Sequence, residues 1–116
     1  MLWKSAMSKQ NYFPDNWVVL KMSPGSETLY KVLGGWSGGY LDGDSWRMNS
    51  GITKVTEEGD DYLKFWGYSG SCYVCHKNSY GLRMNNSGIY NQLKEKFGVD
   101  VELMPEDTDW EELFRP

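Results

Sequence analysis

The sequence has little of what membrane-spanning and secreted proteins need. Its 116 residues contain no apolar run of about 18 residues, the length that a membrane-spanning helix requires. The N-terminal residues hold one early lysine, Lys4, and no apolar stretch of the kind found in secretory signals. Without export to an oxidising compartment, the two cysteines are expected to be free thiols. We therefore expect a single cytoplasmic domain with no membrane partner.

Basic residues are also scarce, and their distribution argues against one class of partner. Twelve Lys and Arg stand against 16 Asp and Glu, which gives a formal net charge of −4. Residues 99–116 carry seven acids and one base, a net of −6, so the rest of the chain carries a net of +2. A general nucleic-acid binder needs a concentrated basic face, which this distribution does not supply. A slightly positive body is compatible with a small anionic ligand.

Histidine is rarer still, since His76 is the only one. It ends the run CYVCH at 72–76, which matches the attachment motif of c-type haem. Haem is attached outside the cytoplasm, and cysteines three apart in a strand point to opposite faces, so we expect no haem, disulfide or shared zinc. His76 is then either a polar strand-end residue or, beside Lys77, a ligand contact, and a catalytic role is the less favoured interpretation.

Metal and phosphate motifs are incomplete in this chain. The triplet DGD at 42–44 resembles the opening of a calcium loop, but Arg47 stands where an oxygen donor is needed and no Glu closes the loop. The glycines match neither a P-loop nor a dinucleotide-binding fingerprint. We therefore expect no metal, no cofactor and no catalytic residue.

The residue pattern predicts an α+β domain. Ile89, Leu93 and Phe97 recur at helical spacing, with Ser87 as the predicted N-cap and Gly98 as the stop. The other predicted elements are strands, which correspond to runs rich in β-branched and aromatic residues separated by glycine turns. We expect one antiparallel sheet of five to six strands, with one helix from the C-terminal half packed on it. The predicted strands are 16–23, 28–36, 46–56 with a bend at 49–51, 62–68, 72–77 and 101–104.

Composition divides the chain into three parts. Residues 1–11 read as a loose polar leader, residues 12–104 as the domain, and residues 105–116 as an acidic tail. The tail also carries Trp110 and Leu113. It either docks on a basic partner or folds these apolar side chains back onto the core, and we favour the second interpretation.

A short pattern occurs twice along the chain. Gly-aromatic-Ser-Gly is found at 35–38 and 67–70, and Arg-Met-Asn at 47–49 and 83–85. Chance in a Gly- and Ser-rich chain is the alternative explanation, because the two copies run into different elements. As a site, each copy offers a ring to stack on a base, an arginine for phosphate, and Ser and Asn for sugar hydroxyls. The candidate ligand-binding residues are Trp36, Ser37, Tyr40, Asp42, Asp44, Trp46, Arg47, Asn49, Tyr68, Ser69, His76, Lys77, Tyr80, Arg83 and Asn85.

Three runs carry a family resemblance. GGWSGGYLDGDSWRMNSGI at 34–52, GYSGSCYVCHKNSYGLRM at 67–84 and PEDTDW at 105–110 resemble a family of small accessory proteins encoded by tailed bacteriophages. The resemblance covers most of the chain from 16 to 110 and supplies no catalytic residues. It implies a protein that works in the host bacterial cytoplasm against the host. Strategies of such proteins include blocking a defence protein, mimicking DNA, and sequestering the nucleotide signals of immune systems such as CBASS and Thoeris.

Together, the residue inventory and the resemblance favour one function. We expect a phage anti-defence protein that binds and sequesters a nucleotide-derived immune signal without catalysis. By analogy with such binders, we also expect a homo-oligomer. Two alternatives stay open. One is a protein–protein inhibitor of a host defence factor that acts through the acidic aromatic tail. The other is an enzyme that degrades a nucleotide signal, which the single histidine makes the least favoured.

Overall fold

The fold is given by a computed structural model that describes residues 10–39 and 43–115. Most of the predicted leader at 1–11 lies outside the described residues, and so do the candidate residues Tyr40 and Asp42. Within the described residues, two α-helices are present, α1 (Ser87–Phe97) and α2 (Trp110–Leu113), with short 3-10 turns at Lys77–Ser79 and Gly98–Asp100. The strands are β1 (Asn11–Tyr12), β2 (Asn16–Met22), β3 (Leu29–Gly39), β4 (Gly43–Met48), β5 (Ile52–Glu58), β6 (Tyr62–Gly67), β7 (Cys72–His76) and β8 (Val101–Leu103).

The strands form two sheets of four rather than the single sheet that the sequence predicts. The first sheet has the order β1-β7-β6-β5 and the second has the order β4-β3-β2-β8. All pairings are antiparallel except that of β1 with β7, which is parallel. The α+β class is confirmed, and the number of sheets is corrected. The difference arises at the bend 49–51, where the chain leaves β4 in the second sheet and enters β5 in the first.

The second sheet lies between the first sheet and helix α1. Along β2, Trp17 and Val19 face the first sheet, while Val18 and Leu20 face the helix. Asn16 to Leu20 are all buried, as expected for a strand covered on both faces. This three-layer order explains why β2 reads as a nearly continuous apolar run.

Helix α1 confirms the helical periodicity of the sequence. Ile89, Leu93 and Phe97 pack against the apolar cluster of the second sheet. Gly98 ends the helix with a φ of 57°, a conformation that glycine adopts without strain. At the other end the N-cap is Asn86, one residue before the predicted Ser87.

The acidic tail folds back onto the domain. Trp110 is buried, and its ring packs against Trp17 and Phe65 in the cluster between the two sheets. Cys72 and Cys75 are also buried, both are free thiols, and burial raises the pKa of each. No helix among the described residues is long and apolar enough to cross a membrane.

Candidate functional site

The segment that follows β1 is fixed against strand β3 by three hydrogen bonds. The indole Nε1 of Trp36 donates to the carbonyl oxygen of Phe13 at 3.0 Å. The backbone N–H of Asp15 donates to the carbonyl of Gly35 at 2.8 Å. In return, the N–H of Ser37 donates to Oδ2 of Asp15 at 2.8 Å. These bonds position the aromatic residues that precede β2 over the hairpin formed by β3 and β4.

Arg47 projects from β4, at the edge of the second sheet, over this segment. Its register partner on β3 is Gly34, which has no side chain to compete for the space. The guanidinium carbon lies 4.6 Å from the ring centroid of Tyr12, a cation–π distance. The same ring meets Trp36 edge-on, with 6.4 Å between centroids. Among the described residues, no carboxylate lies within ion-pair distance of Arg47.

These groups line an open cavity of about 420 Å³, here called the Arg47 cavity. That volume lies within the range of small-molecule sites, about 300–1,000 Å³. Two of its aromatic residues are largely exposed, Phe13 at 60% and Trp46 at 47%. Arg47 carries the only formal charge among the described lining residues. The lining consists of Asn11, Tyr12, Phe13, Trp36, Ser45, Trp46 and Arg47.

The chemistry of the Arg47 cavity suits the binding of a planar anion. Aromatic rings offer stacking surfaces to a base, and a guanidinium pairs with a phosphate through two parallel hydrogen bonds. The hydroxyl of Ser45 and the amide of Asn11 add polar groups for sugar hydroxyls. His76, the single histidine, is not among the lining residues, so the cavity lacks an imidazole base.

The structure brings three of the predicted site residues together in this cavity, namely Trp36, Trp46 and Arg47. Ser37 and Asp44 lie close by in the same hairpin, and their side chains are engaged in hydrogen bonds within the protein. The Oγ of Ser37 accepts a hydrogen bond from Asn85, and Oδ1 of Asp44 accepts one from the N–H of Gly38. Both residues are exposed at the border of the cavity.

The two predicted asparagines are interior scaffold residues. Asn49 exchanges two hydrogen bonds with Val32, one through its backbone N–H and one through Oδ1, and so extends the β3 ladder beyond the end of β4. Its Nδ2 is buried without a hydrogen-bond partner among the described residues. Asn85 forms a reciprocal pair with Asn16, with amide distances of 2.6 and 3.0 Å. Since both side chains are engaged inside the protein, neither faces the Arg47 cavity.

The second copy of the repeated pattern lies outside the Arg47 cavity. Tyr68 and Ser69 belong to the turn between β6 and β7, where the N–H of Ser69 donates to the Oγ of Ser50. Tyr68 is 68% exposed and covers Gly51, whose missing side chain makes room for the ring. Arg83 is exposed in the loop before α1. None of the three lines the cavity, so the two copies do not form one site.

Tyr80 packs against the apolar cluster between the two sheets. Its hydroxyl donates to the carbonyl of Met104 and accepts from the N–H of Val19, and its ring meets Trp17 edge-on at 4.7 Å. Burial raises the pKa of Tyr80 to about 12, an effect that the hydrogen bond from Val19 partly offsets. These contacts give Tyr80 a structural role.

His76 and Lys77 lie at the end of β7. The Nδ1 of His76 accepts a hydrogen bond from the N–H of Asn78 at 3.0 Å, and its ring packs on Tyr62 with 4.8 Å between centroids. Lys77 forms an ion pair with Glu57 at 2.6 Å. The hydrogen bond to that carboxylate raises the pKa of Lys77.

A second cavity, here called the tail cleft, separates this region from the acidic tail. Its volume is about 260 Å³. Lys77 and Tyr80 are the predicted site residues that line it. The remaining lining residues are Trp17, Glu57, Leu63, Glu106, Asp107, Thr108, Asp109, Trp110 and Glu111. The tail cleft therefore carries the opposite charge to the Arg47 cavity.

Tyr12 and Phe13 are site residues that the sequence analysis missed. They stand at the border between the predicted leader and the domain, where no strand pattern precedes them. The aromatic pair directly before Pro14 was the available signal. An aromatic pair held extended by a following proline is well suited to lie across a neighbouring strand.

Comparisons of this chain with protein-family models, with curated proteins and with solved structures give no significant match. Within residues 10–39 and 43–115, no group of three or more His, Cys, Asp or Glu side chains is arranged to hold a metal ion.

Proposed function

We propose that this protein binds a small nucleotide-derived ligand in the Arg47 cavity and holds it without converting it. In the phage context that the sequence resemblance implies, the bound molecule is an immune signal of the host, and sequestration in the host cytoplasm is the anti-defence activity. Binding without turnover needs a cavity with stacking surfaces and an anion partner. It does not need a nucleophile paired with a base.

One observation carries the proposal. The Arg47 guanidinium has no carboxylate partner among the described residues, yet it is held in place over Tyr12 beside Trp36 and Trp46. Arg47 is exposed, so its charge is hydrated and its N–H donors can reach an anion from solution. A guanidinium that lies over an aromatic ring beside exposed rings, with no carboxylate partner in the described part of the chain, supports the binding of an external anion.

The proposal is tested by thermal stability against a panel of cyclic dinucleotides, cyclic oligonucleotides and ADP-ribose derivatives. A ligand at 100 times its Kd stabilises the folded state by about 2.7 kcal/mol, which corresponds to several degrees for a domain of this size. Recovery of the intact ligand after denaturation distinguishes sequestration from degradation. A panel that leaves the melting temperature unchanged throughout contradicts the proposal.

A matched pair of variants locates the binding site. Arg47→Ala is expected to abolish the ligand-induced shift while leaving the unliganded protein folded. Arg83→Ala removes an equally exposed arginine that does not line the cavity, and it is expected to keep the shift. Equal loss of the ligand-induced shift in both variants would instead favour a site that uses both copies of the repeated pattern.

A second candidate is inhibition of a basic host protein through the tail cleft. Glu106, Asp107, Asp109 and Glu111 line this cleft, and none has an ion-pair partner among the described residues. Truncating the tail is an unsuitable test because Trp110 is in the core. Glu106 and Asp107 are exposed, so the double charge reversal Glu106→Lys and Asp107→Lys is expected to keep the fold. Capture of a host protein by the parent, and its loss in this variant, would support the second function.

A further inference from the structure

We infer that the Arg47 cavity selects a ligand whose phosphate is a singly charged phosphodiester, as in a cyclic nucleotide, over a nucleoside polyphosphate or a pyrophosphate. This inference rests on the proposed function, because it specifies the ligand of the same cavity. It follows from the charges in and around the cavity rather than from its aromatic walls.

The cavity offers one positive charge to a ligand. Arg47 is the only basic residue among the lining residues that the structure describes, since the rest are Asn, Tyr, Phe, Trp and Ser. A guanidinium forms its two parallel hydrogen bonds with one phosphate group at a time. The cation–π contact with Tyr12 pairs no N–H donor with an oxygen acceptor, so it is compatible with a phosphate at the same guanidinium. One phosphate of single charge is therefore matched.

The described lining residues also offer no carboxylate that could hold a metal ion to neutralise further phosphates. Proteins bind the Mg²⁺ of a nucleoside triphosphate through one or two carboxylates together with the phosphate oxygens. No Asp or Glu is among the described lining residues of the Arg47 cavity. The additional charges of a polyphosphate would stay unpaired there.

The residues that border the cavity add negative charge. Asp15, in the segment before β2, and Asp44, on β4, are both exposed, and their carboxylates accept hydrogen bonds from the N–H groups of Ser37 and Gly38 on β3. The whole chain carries a formal net charge of −4. These carboxylates repel a second phosphate that comes within the Debye length, which is about 8 Å at physiological salt.

The aromatic walls contribute affinity that does not depend on ligand charge. Trp36, Trp46 and Phe13 present rings to a base, and stacking tolerates any base because each has a π-face. The difference in affinity between two ligands with the same base should therefore report the contribution of the phosphate alone. Adenine compounds form a suitable series.

The experiment is calorimetric titration of the full chain with adenosine, 3′,5′-cyclic AMP, cyclic diadenylate, ADP-ribose and ATP, each with and without Mg²⁺. We expect cyclic AMP to bind at least tenfold more tightly than adenosine, ADP-ribose and ATP, with no effect of Mg²⁺. Cyclic diadenylate, which carries two charges, should bind no more tightly than cyclic AMP. In Arg47→Ala the advantage of cyclic AMP over adenosine should disappear, and in Arg83→Ala it should persist.

The outcomes separate this inference from the proposed function. If ADP-ribose or ATP binds as tightly as cyclic AMP, or if Mg²⁺ strengthens ATP binding, the inference is overturned and nucleotide binding stands. If adenosine binds as tightly as cyclic AMP, the arginine does not read the phosphate and the inference is overturned as well. If no member of the series binds, the proposed function fails and the inference fails with it.

Discussion

The ring of Tyr12 lies beneath the guanidinium of Arg47, with 4.6 Å from the ring centroid to the guanidinium carbon. The contact joins the edge of one sheet to the edge of the other, because β1 belongs to the first sheet and β4 to the second. Arg47 is the only charged group among the described residues that line the Arg47 cavity, and this contact places it over a ring. The two residues are 35 positions apart, so the tertiary structure alone brings them together.

Tyr12→Leu should lower affinity for a phosphodiester probe about fivefold or more, because the arginine loses the ring that orders it. Cation–π contacts at exposed sites are worth about 0.5–1 kcal/mol, so the protein should stay folded. Tyr12→Phe keeps the ring and should bind nearly as the parent does. Calorimetric titration of the parent, Tyr12→Leu and Tyr12→Phe checks this. Weak binding by Tyr12→Phe would assign the loss of affinity to the hydroxyl instead of the ring.

Gly35→Ala should destabilise the fold. A Cβ at this position would lie 2.0 Å from Oδ1 of the buried Asn85, which has no room to move away. Overpacking of this kind costs about 1–3 kcal/mol. Gly88→Ala is the matched control, because it lies in α1 with no atom within 4 Å of the added Cβ. It should stabilise the protein by about 0.5 kcal/mol. Urea denaturation measures both.

Asn85→Ala should cost about 1–3 kcal/mol of folding free energy, because its removal leaves polar groups of Asn16 unpaired in the interior. The double variant with Asn16→Ala should cost less than the sum of the two single variants. Equilibrium unfolding of all four proteins gives this coupling energy. Strict additivity would contradict the reciprocal amide pair.

Trp110→Ala should destabilise the protein by about 3–5 kcal/mol, the usual cost of removing a buried tryptophan. Its ring packs against Trp17, Phe65 and Tyr80. Leu113→Ala, in the same helix but 38% exposed, should cost much less. Denaturation curves compare the two, and a small effect at Trp110 would mean that the tail is dispensable for folding.

Buried Tyr73 and partly buried Tyr80 should make the protein sensitive to alkali. Burial raises the pKa of Tyr73 and of Tyr80 to about 12, from an ordinary value of 10.0. Between these values the unfolded chain loses the phenolic protons while the folded chain keeps them, so stability falls as the pH rises from 10 to 12. The loss is about 2–3 kcal/mol per tyrosine.

Denaturation at a series of pH values from 8 to 12 measures this loss. The buried thiols of Cys72 and Cys75, whose pKa values are also raised, add to the same decline. Tyr73→Phe removes one contributing group and should make the decline between pH 10 and 12 less steep. A parallel decline in the variant and the parent would contradict the assignment to Tyr73.

Much of the local structure follows from the sequence because it depends on neighbours along the chain. The spacing of Ile89, Leu93 and Phe97 and the position of Gly98 define helix α1. Alternating and β-branched runs define the long strands to within a few residues. Three residues of the Arg47 cavity, Trp36, Trp46 and Arg47, were also recognisable as aromatic and basic groups beside glycines.

What only the tertiary structure decided is how these elements are partitioned and which polar groups are buried. A side-chain period of two marks the faces of a strand without saying which sheet the strand joins. The bend predicted at 49–51 therefore did not show that the chain changes sheets there. Asn49 and Asn85 read as ligand contacts, yet burial turns them into scaffold residues. The parallel pairing of β1 with β7 joins residues about 60 positions apart, and it is this long-range contact that brings Tyr12 to Arg47.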